Sequence, residues 1–462
     1  MAGIFTDGVA EVRPGTYFNV NTNDGSRIVG AQDGIAAVVF KGNWGPLNTI
    51  CELTETGDTY DRYGDGGNVD ALEYAFQGGA KTVLAVRAGT GGTAAKVQIG
   101  EIATVTAKYP GARVLSVTVK DSLTEDNAKK VTFYAGNREI ESYSITKDGN
   151  KEGAALKAAM EKSKNFVVEV NTDGSFPDLS QQAFTAGTDP TVNVDSYAAA
   201  FEQLESIYCN AICVDTEDHA VHLLLKSFLD RAYKNGFFAC AVLADNTETP
   251  VEERISYAET FNDEKVIYIL NAKGMQAEKA VKGYQLAAIV AGMYAAYPSN
   301  KSLTHKSLPG ITELTEVLKP SVMTRAETKG CLVLSMSPTK EVWIDNAINT
   351  LVELPEDKDA GWKKIRRTKT RFELMYRMNT TSDSLTGNVD NDKNGRETVI
   401  ANLNEVGAVM IQEGKLKVCS VTEHPSRKAN ADYAYFMIDV VDKDSLEHSY
   451  LYYMFRYKTE EG

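Results

Sequence analysis

The hydrophobic residues of this chain follow two periods, and the dominant period changes along the sequence. Over residues 191–345, short apolar runs alternate with segments of helical spacing, which predicts a parallel sheet with helices on its faces. The predicted strands are 210–214, 237–243 and 265–270, and the predicted helices are 195–206, 217–235, 250–261 and 277–296. Earlier in the chain, a strand at 35–40, a helix at 68–77 ended by two glycines, and a strand at 81–87 have the same character. The strand at 81–87 could complete the same sheet.

Residues 94–190 have a different texture, because short β-type runs are separated by turn residues. These runs are 102–107, 114–119, 131–134, 143–145 and 166–170, with one predicted helix at 151–163. The pattern predicts a compact β-rich module of the sandwich or barrel kind. Beyond residue 346, two helices (360–378 and 398–413) and two strands (433–441 and 449–457) are predicted.

Together these patterns predict an α/β multidomain protein. A central, mostly parallel α/β sheet domain carries an inserted β-rich domain, followed by an α+β C-terminal domain, with extended arms at both ends. In chain order the expected parts are an extended N-terminal arm (1–30), the first part of the α/β core (31–93), the β-rich domain (94–190), the central α/β domain (191–345) and the C-terminal domain ending in a linking strand (346–462).

The last predicted strand carries apolar residues on both faces. Alternate positions divide them into Tyr450, Tyr452 and Met454 on one face and Leu451, Tyr453, Phe455 and Tyr457 on the other. A strand with one face in water should alternate apolar and polar residues, so both faces of this strand must be covered. It is either an inner strand of its own sheet or a tail that adds to the sheet edge of another chain. The second alternative makes the protein a polymer subunit.

The N-terminal residues predict an extended arm rather than a packed element. Residues 1–30 are rich in Gly, Asn, Asp and Thr, and Pro14 restricts the residue before it to extended backbone. A short extended piece, residues 16–20, follows and is the N-terminal counterpart of the terminal strand.

Composition narrows the classes of function. The 462 residues are 43% hydrophobic and 24% charged, an ordinary globular composition, and the net charge of −14 argues against a general nucleic-acid binder. The six cysteines are scattered, four of them in apolar contexts, which predicts buried free thiols of a cytosolic protein. We expect no secretory signal, and the longest apolar stretch, 286–297, is shorter than the ~20 residues of a bilayer span.

Motifs for catalysis or metal binding are weak. The sequence has no phosphate-binding P-loop, no nucleophile elbow and no cysteine beside a basic residue. His219 and His222 are three residues apart but have no evident third ligand, so ordinary helix-start histidines are expected. Residues 390–395 match the first half of a calcium loop, but Ala401 stands where a bidentate glutamate is needed. A polar turn before a helix is expected there.

Two alternatives remain open at this point. An enzyme built on a doubly wound α/β domain would place its site near Asp215, Asp245 and Asn271, at the carboxyl ends of the predicted strands. Separately, residues 358–371 hold seven basic residues against one acid, Asp359. This basic run is either a solvated helix face or a docking face for an acidic partner, since complementary charge sets register.

Several segments, in order, resemble the contractile tail sheath proteins of myophages and related phage-tail-like bacteriocins. They are Val12-Arg-Pro-Gly-Thr-Tyr17, the helix–strand unit 71–89, Lys108-Tyr-Pro-Gly111, residues 283–297 followed by Lys306-Ser-Leu-Pro-Gly310, the polar loop 388–396 and the last two strands. The resemblance covers nearly the whole chain. One departure follows Gly111, where Ala-Arg-Val-Leu replaces the polar Gly/Asn turn often found in the family.

The resemblance implies a structural protein with no catalytic site, cofactor or metal. Its subunits polymerise as stacked helical rings, with six-fold symmetry expected, around a tail tube and contract to drive the tube through the target cell envelope. The implied partners are further copies of the chain, the tail tube protein, and baseplate and tail terminator proteins, without nucleic acid or direct membrane insertion. The implied location is the virion, after assembly in the cytoplasm of a bacterial host.

The resemblance also implies that extended arms join neighbouring subunits. The matching linking residues are Thr16, Tyr17, Phe18 and Val20 in the N-terminal arm and Tyr450, Leu451, Tyr452, Tyr453, Phe455 and Tyr457 in the terminal strand. From charge and position, rather than from the resemblance, we expect the basic run to face the tube through Lys363, Lys364, Arg366, Arg367, Lys369 and Arg371.

Overall fold

The computed structural model describes residues 33–356 and 358–456, together with two short strands near the N-terminus, Gly3–Ile4 and Tyr17–Phe18. The described chain falls into two compact units. The larger unit contains residues up to Glu373 and resumes at Asp442, and the smaller contains Leu374–Val441 with the two N-terminal strands.

The strands are β1 (Gly3–Ile4), β2 (Tyr17–Phe18), β3 (Ile35–Phe40), β4 (Ile50–Leu53), β5 (Thr82–Arg87), β6 (Ala94–Ile99), β7 (Ala103–Pro110), β8 (Leu115–Asp121), β9 (Ala128–Ala135), β10 (Arg138–Thr146), β11 (Phe166–Val170), β12 (Leu179–Ala183), β13 (Ala211–Val214), β14 (Cys240–Ala244), β15 (Val266–Ile269), β16 (Lys273–Gln276), β17 (Lys279–Lys282), β18 (Glu313–Leu314), β19 (Cys331–Leu332), β20 (Leu334–Met336), β21 (Val342–Ile344), β22 (Leu416–Glu423) and β23 (Phe436–Asp442). The helices are α1 (Thr56–Tyr63), α2 (Asp70–Gln77), α3 (Glu152–Ala159), α4 (Val194–Leu204), α5 (His219–Lys234), α6 (Val251–Phe261), α7 (Gly283–Ala296), α8 (Pro320–Thr328), α9 (Ile365–Leu385) and α10 (Lys393–Gln412), with a 3-10 turn at Ala360–Lys363.

The core of the larger unit is a seven-stranded sheet in the order β19-β15-β14-β13-β3-β5-β4, parallel except for β4. Its inner strands are continuous apolar runs, because both faces are buried. The predicted strands at 35–40, 210–214, 237–243 and 265–270 are confirmed as β3, β13, β14 and β15. The strand predicted at 81–87 is β5, and it joins this sheet beside β3.

Helices cover the sheet on both faces. Along β3, Ala37 and Val39 join the apolar cluster formed with α4, α5 and α6. Ala36 and Val38 point the other way and are equally buried. The helix α7 packs against β3, β13 and β14. The predicted helices are confirmed in type, but the segment expected to be helical from residue 277 begins as β17, and α7 starts only at Gly283. Ala277 has a left-handed backbone (φ 51°) in the turn between β16 and β17, which breaks the helical pattern there.

The β-rich segment forms two sheets of its own, β10-β9-β8-β12 and β11-β7-β6. Their apolar side chains share one core, in which the rings of Phe133 and Phe166 stack with centroids 4.5 Å apart. The five predicted strands of this segment are confirmed, and β6 and β12 were missed. The predicted domain boundaries of the chain stay predictions.

The segment Lys108-Tyr-Pro-Gly111 lies where the β-rich strands meet the α/β core. The fully buried guanidinium of Arg87 donates to the carbonyls of Gly45 and Pro110 at 2.7 and 3.0 Å. A Cβ on Gly111 would lie 1.8 Å from the carbonyl oxygen of Asn43, so only glycine fits. The departure from the family pattern has a structural role here, because the buried Arg113 lies over the ring of Trp44 at 5.2 Å.

The smaller unit packs α10 against β22 and β23 around Leu403, Val406, Met410 and Leu416. The strand predicted at 433–441 is confirmed as β23. The strand predicted at 449–457 is wrong for the single chain, since residues 443–456 contain no strand. A strand is defined by hydrogen bonds to a neighbour, and among the described residues this segment has no neighbouring strand.

Helices α2 and α7 cross through a pair of glycines. A Cβ on Gly292 would lie 2.1 Å from the carbonyl oxygen of Ala75, and a Cβ on Gly78 would lie 2.1 Å from that of Ile289. No side chain fits at this distance, so the crossing brings the two backbones into direct contact. Gly78 therefore both ends α2 and admits α7.

We predict that Gly292→Ala lowers the free energy of unfolding by at least about 2 kcal/mol, because the methyl group forces the helices apart. The matched control is Gly57→Ala in α1, whose added methyl group would meet only the Glu55 side chain at 3.9 Å. That variant should be neutral or more stable by up to about 1 kcal/mol, from helix propensity. Urea unfolding measures both, and equal stabilities would contradict the close crossing.

Candidate assembly interface

The C-terminal segment, residues 448–456, is extended into solvent and largely apolar. Its exposed residues include Tyr452 at 95% and Phe455 at 92% of their full surface, and the others are Tyr450, Leu451, Tyr453 and Met454. The rings of Tyr453 and Phe455 stack with centroids 6.2 Å apart, as expected for positions i and i+2 on one face of an extended chain. Contiguous exposed apolar surface of this kind marks a site of interaction.

The base of this segment is bound to the basic run. Asp442 receives two hydrogen bonds from Arg367, Nη2 to Oδ1 at 2.5 Å and Nε to Oδ2 at 3.0 Å. Arg371 adds a third, Nε to Oδ2 at 2.9 Å. Burial alone would raise the pKa of Asp442, but these guanidinium hydrogen bonds outweigh it and lower the pKa.

A second layer of contacts follows along the segment. The Lys364 ammonium lies 3.0 Å from Asp444 Oδ2 and 3.1 Å from Glu447 Oε2. Ser302 donates to Glu447 Oε1 at 2.8 Å, and Arg366 donates to the Ser445 hydroxyl at 2.8 Å. We call this set the root clamp: Lys364, Arg366, Arg367 and Arg371 on α9 or just before it, with Asp442, Asp444, Ser445 and Glu447 on the segment.

Most of the basic run is buried or paired within the chain. Arg366 and Lys369 are 7% and 6% exposed, and Lys369 donates to the carbonyls of Tyr294 and Ala295 at the end of α7, at 2.6 and 3.0 Å. The interpretation of the run as a solvated helix face is therefore wrong. Lys363 is half-buried. Contact of the six basic residues with a tail tube stays a prediction.

The hairpin β22–β23 in the smaller unit is a second apolar surface. It is a two-stranded sheet with exposed residues on both strands: Val418, Met437, Ile438 and Val441. Among the described strands each of these two has one neighbour, so each leaves one edge of backbone donors and acceptors without a described strand partner.

The predicted linking residues of the N-terminal arm are described only in part. Tyr17 and Phe18 form β2, which pairs in parallel with β1. Thr16 and Val20, like Tyr457 at the other end of the chain, lie outside the described residues.

The strand ends expected in a doubly wound enzyme are closed by internal hydrogen bonds. The chain order of the sheet reverses between β3 and β13, where a ligand would bind in such a fold. There the carboxylate of Asp215, 1% exposed, accepts from the Lys41 amide at 2.8 Å and the Tyr197 hydroxyl at 2.5 Å. The amide at the N-terminus of a helix can bind an anionic group of a ligand. At the start of α7 the carboxylate of Glu217 takes that position, because it accepts a hydrogen bond from the Tyr284 amide.

The other two candidate residues of the enzyme alternative are also structural. Asp245 Oδ1 accepts from the Thr249 hydroxyl at 2.9 Å, and Asn271 Oδ1 accepts from the Leu334 amide at 2.7 Å. A nearby cleft is lined by Lys273, Lys282, Glu217 and Glu248, whose charges cancel. Among the described residues, the candidate side chains Asp215, Asp245 and Asn271 are thus each engaged in a hydrogen bond within the chain.

The histidine pair does not form a metal site. His222 is fully buried, with Nε2 2.9 Å from the Thr216 carbonyl oxygen, and His219 stacks on Tyr257 with ring centroids 3.9 Å apart. The expected turn is confirmed only for residues 390–392, because residues 393–395 are already the first turn of α10. Asp392 caps that helix by accepting from the Gly395 amide at 2.7 Å. Across residues 33–356 and 358–456, no three His, Cys, Asp or Glu side chains are arranged to hold a metal ion.

The cysteines are free, as predicted, and five of the six are buried. Burial raises the pKa of Cys240 and of Cys331 to about 12, so neither thiol is ionised at neutral pH. These thiols pack as small apolar groups.

Sequence reasoning missed the acidic partners of the basic run. Asp442, Asp444 and Glu447 stand just before the aromatic segment, and three acids within six residues were a visible signal. The hairpin as a free-edged surface was also missed, because a pattern of strands does not show which of them lack neighbours.

Known proteins are similar to this chain in sequence and in fold. Residues 191–350 match a family model described as the phage tail sheath protein central domain. The fold is similar to the crystal structure of the sheath tail protein from Desulfitobacterium hafniense, with a TM-score of 0.71 and 17% identity, over 93% of this chain and 100% of that chain. The chain is thus similar to phage tail sheath proteins in the sequence of its central part and in its fold.

Two further similarities extend over most of the chain. YqbK of Bacillus subtilis, an uncharacterized protein, is 23% identical over 376 residues, 78% of each chain. The contracted helical sheath of the anti-feeding prophage has a similar fold, with a TM-score of 0.54 and 11% identity, over 96% of this chain and 99% of that chain. In the part of the chain that the structure describes, no helix has the length and apolar character needed to cross a bilayer.

We predict that His222 makes the stability of this protein depend on pH. Burial lowers its pKa to about 4, below the usual value near 6.5, so the unfolded chain takes up this proton first as the pH falls. The free energy of unfolding should thus fall by about 3 kcal/mol between pH 6.5 and pH 4 through this group. His222→Gln should flatten that part of the urea-unfolding pH profile, while His448→Gln, at an exposed position, should leave it unchanged.

Proposed function

We propose that this protein is the structural subunit of a contractile tail sheath. Subunits polymerise as stacked helical rings around a tail tube and contract to drive the tube through the envelope of a target cell. The observation that carries the proposal is the exposed apolar segment from Tyr450 to Phe455, which has no strand partner in the part of its chain that the structure describes. Two observations support a structural role over an enzymatic one. Residues 191–350 match the model of the phage tail sheath central domain, and the polar side chains at the strand ends are hydrogen-bonded within the chain.

The linking arm of one subunit adds a strand to the hairpin β22–β23 of another. The hairpin offers a free edge on each strand, and the arm offers unpaired backbone with apolar residues on both faces. Backbone hydrogen bonds supply the affinity and the alternate aromatic side chains supply the packing. Such a joint depends little on the position of side chains elsewhere, so it can persist while the subunits rearrange.

Contraction in this scheme uses no nucleotide. The extended lattice is metastable, and the contracted lattice buries more surface between subunits. The similarity of the fold to the contracted sheath of the anti-feeding prophage supports this proposal. Further proposed partners are the tail tube, the baseplate and the tail terminator. The subunit would assemble in the host cytoplasm and function as a part of the virion or of a phage-tail-like particle.

We predict that deleting residues 450–462 abolishes sheath assembly and leaves the fold intact. The described part of this segment contributes only exposed residues to the single chain, so the circular dichroism spectrum and the unfolding midpoint should stay close to wild type. Electron microscopy and sedimentation of the full-length and shortened proteins measure assembly. Sheaths of normal length from the shortened chain would refute the linking role.

A single substitution distinguishes a specific role of the arm in assembly from a general effect of added surface charge. Tyr452→Asp should raise the protein concentration required for assembly at least tenfold, because a carboxylate would be buried in the joined sheet. The matched control is Leu123→Asp in the β-rich segment, since Leu123 is as exposed in the single chain as Tyr452. Sedimentation over a concentration series should show no change for the control, and equal effects of the two variants would contradict the proposal.

A further inference from the structure

We propose that the root clamp positions the linking arm, by fixing the point and direction at which it leaves the subunit. This inference rests on the proposed function of the arm and adds the residues that control it. The four basic residues are positioning residues, because they act on the arm through its base and have no contact with the aromatic segment. Arg367 and Arg371 bind Asp442, which is also the last residue of β23.

The first argument is the geometry at Asp442. Its carboxylate is held by two guanidinium groups, with bonds to both oxygens, and its side chain is only 5% exposed. Planar guanidinium groups fix the orientation of a carboxylate as well as its place. Arg371 also holds Asp359 at 2.8 Å, which keeps the guanidinium in position from its other side.

The second argument is the match of charges along the segment. Asp442, Asp444 and Glu447 all contact basic residues of the clamp. Glu447 is also well covered, with 9% of its side chain exposed. The acids of the root therefore lie against bases along its whole length, so the segment follows α9 in one register.

The third argument is the sharp boundary at Glu447. Up to this residue the acidic side chains have partners, whereas from Tyr450 to Phe455 every residue is more than 70% exposed. Leu446, just before Glu447, is itself 85% exposed, so the boundary is one of polar contacts rather than of burial. The clamp ends where the linking arm begins, as expected for a device that marks the base of a tether.

The length of the tether then has a functional meaning. With the clamp closed, the described part of the chain beyond it, residues 448–456, reaches at most ~30 Å when extended. With the clamp open, the free part starts at residue 443 and gains five residues and a flexible base. A longer and less directed tether lowers the effective concentration of the arm at its acceptor. Opening the clamp should therefore weaken assembly without removing any contact of the joint itself.

The test uses the full-length chain carrying Arg367→Glu and Arg371→Glu, kept below the concentration at which it assembles. Amide hydrogen exchange over residues 443–447 should become at least tenfold faster, with the unfolding midpoint within a few degrees of wild type. Above that concentration, the protein required for assembly should rise about tenfold. Asp442→Asn, which keeps the shape of the side chain and removes its charge, should show the same effects more weakly if the double variant fails to fold.

Controls separate positioning from a general effect of charge. Arg325→Glu breaks an exposed ion pair with Glu252 in the same unit and should change neither readout. Adding Asp442→Arg to the double variant restores opposite charges and should recover slow exchange and part of the assembly. Wild-type exchange in the double variant would overturn the clamp, and fast exchange with normal assembly would overturn its positioning role. Failure of the linking function itself is recognised separately, by sheaths that form from the chain lacking residues 450–462.

Discussion

The structure depends on a parallel sheet that is buried on both faces. Such a sheet requires helices on each side and leaves only its strand ends to meet polar groups. In this chain Asp215, Asp245 and Asn271 satisfy those ends internally, by accepting from backbone amides and buried hydroxyl groups. In doubly wound enzymes the ligand binds at these strand ends. Here hydrogen bonds within the chain occupy the candidate polar groups of that edge. Two apolar surfaces of the described residues stay exposed, the segment from Tyr450 to Phe455 and the hairpin β22–β23.

The buried strands and the longer helices of the larger unit could be predicted from the sequence because their signals are local, whereas β4, β6, β12, α1 and α8 were missed. A continuous apolar run such as 35–40 identifies a buried strand without knowledge of its neighbours, and β3 has those bounds. The start of α7 was misplaced, because the left-handed turn at Ala277 leaves no apolar signature. The single-chain conformation of residues 449–456 was also mispredicted, since a strand requires a partner and the sequence pattern cannot supply one.

The candidate site was predicted less completely than the fold. The aromatic residues of the arm were visible as an unusual pattern, but the role of the basic run was not, because its partners lie far along the chain. Arg367 and Asp442 are 75 residues apart. Charge composition records that a basic cluster exists, whereas only the folded chain shows that acids of the same subunit neutralise it. The general lesson concerns acidic proteins, in which a basic cluster is as readily an internal anchor as a docking face.

In the proposed assembly, the exposed aromatic segment would also set the response to temperature. Apolar surface that stays in water until subunits join is buried only at that step, so joining carries a negative change in heat capacity. Near room temperature such burial is favoured by entropy, and it weakens on cooling. Rings built through Tyr450–Phe455 would thus be loosest in the cold, whereas the parallel sheet inside each subunit is already complete before any ring forms.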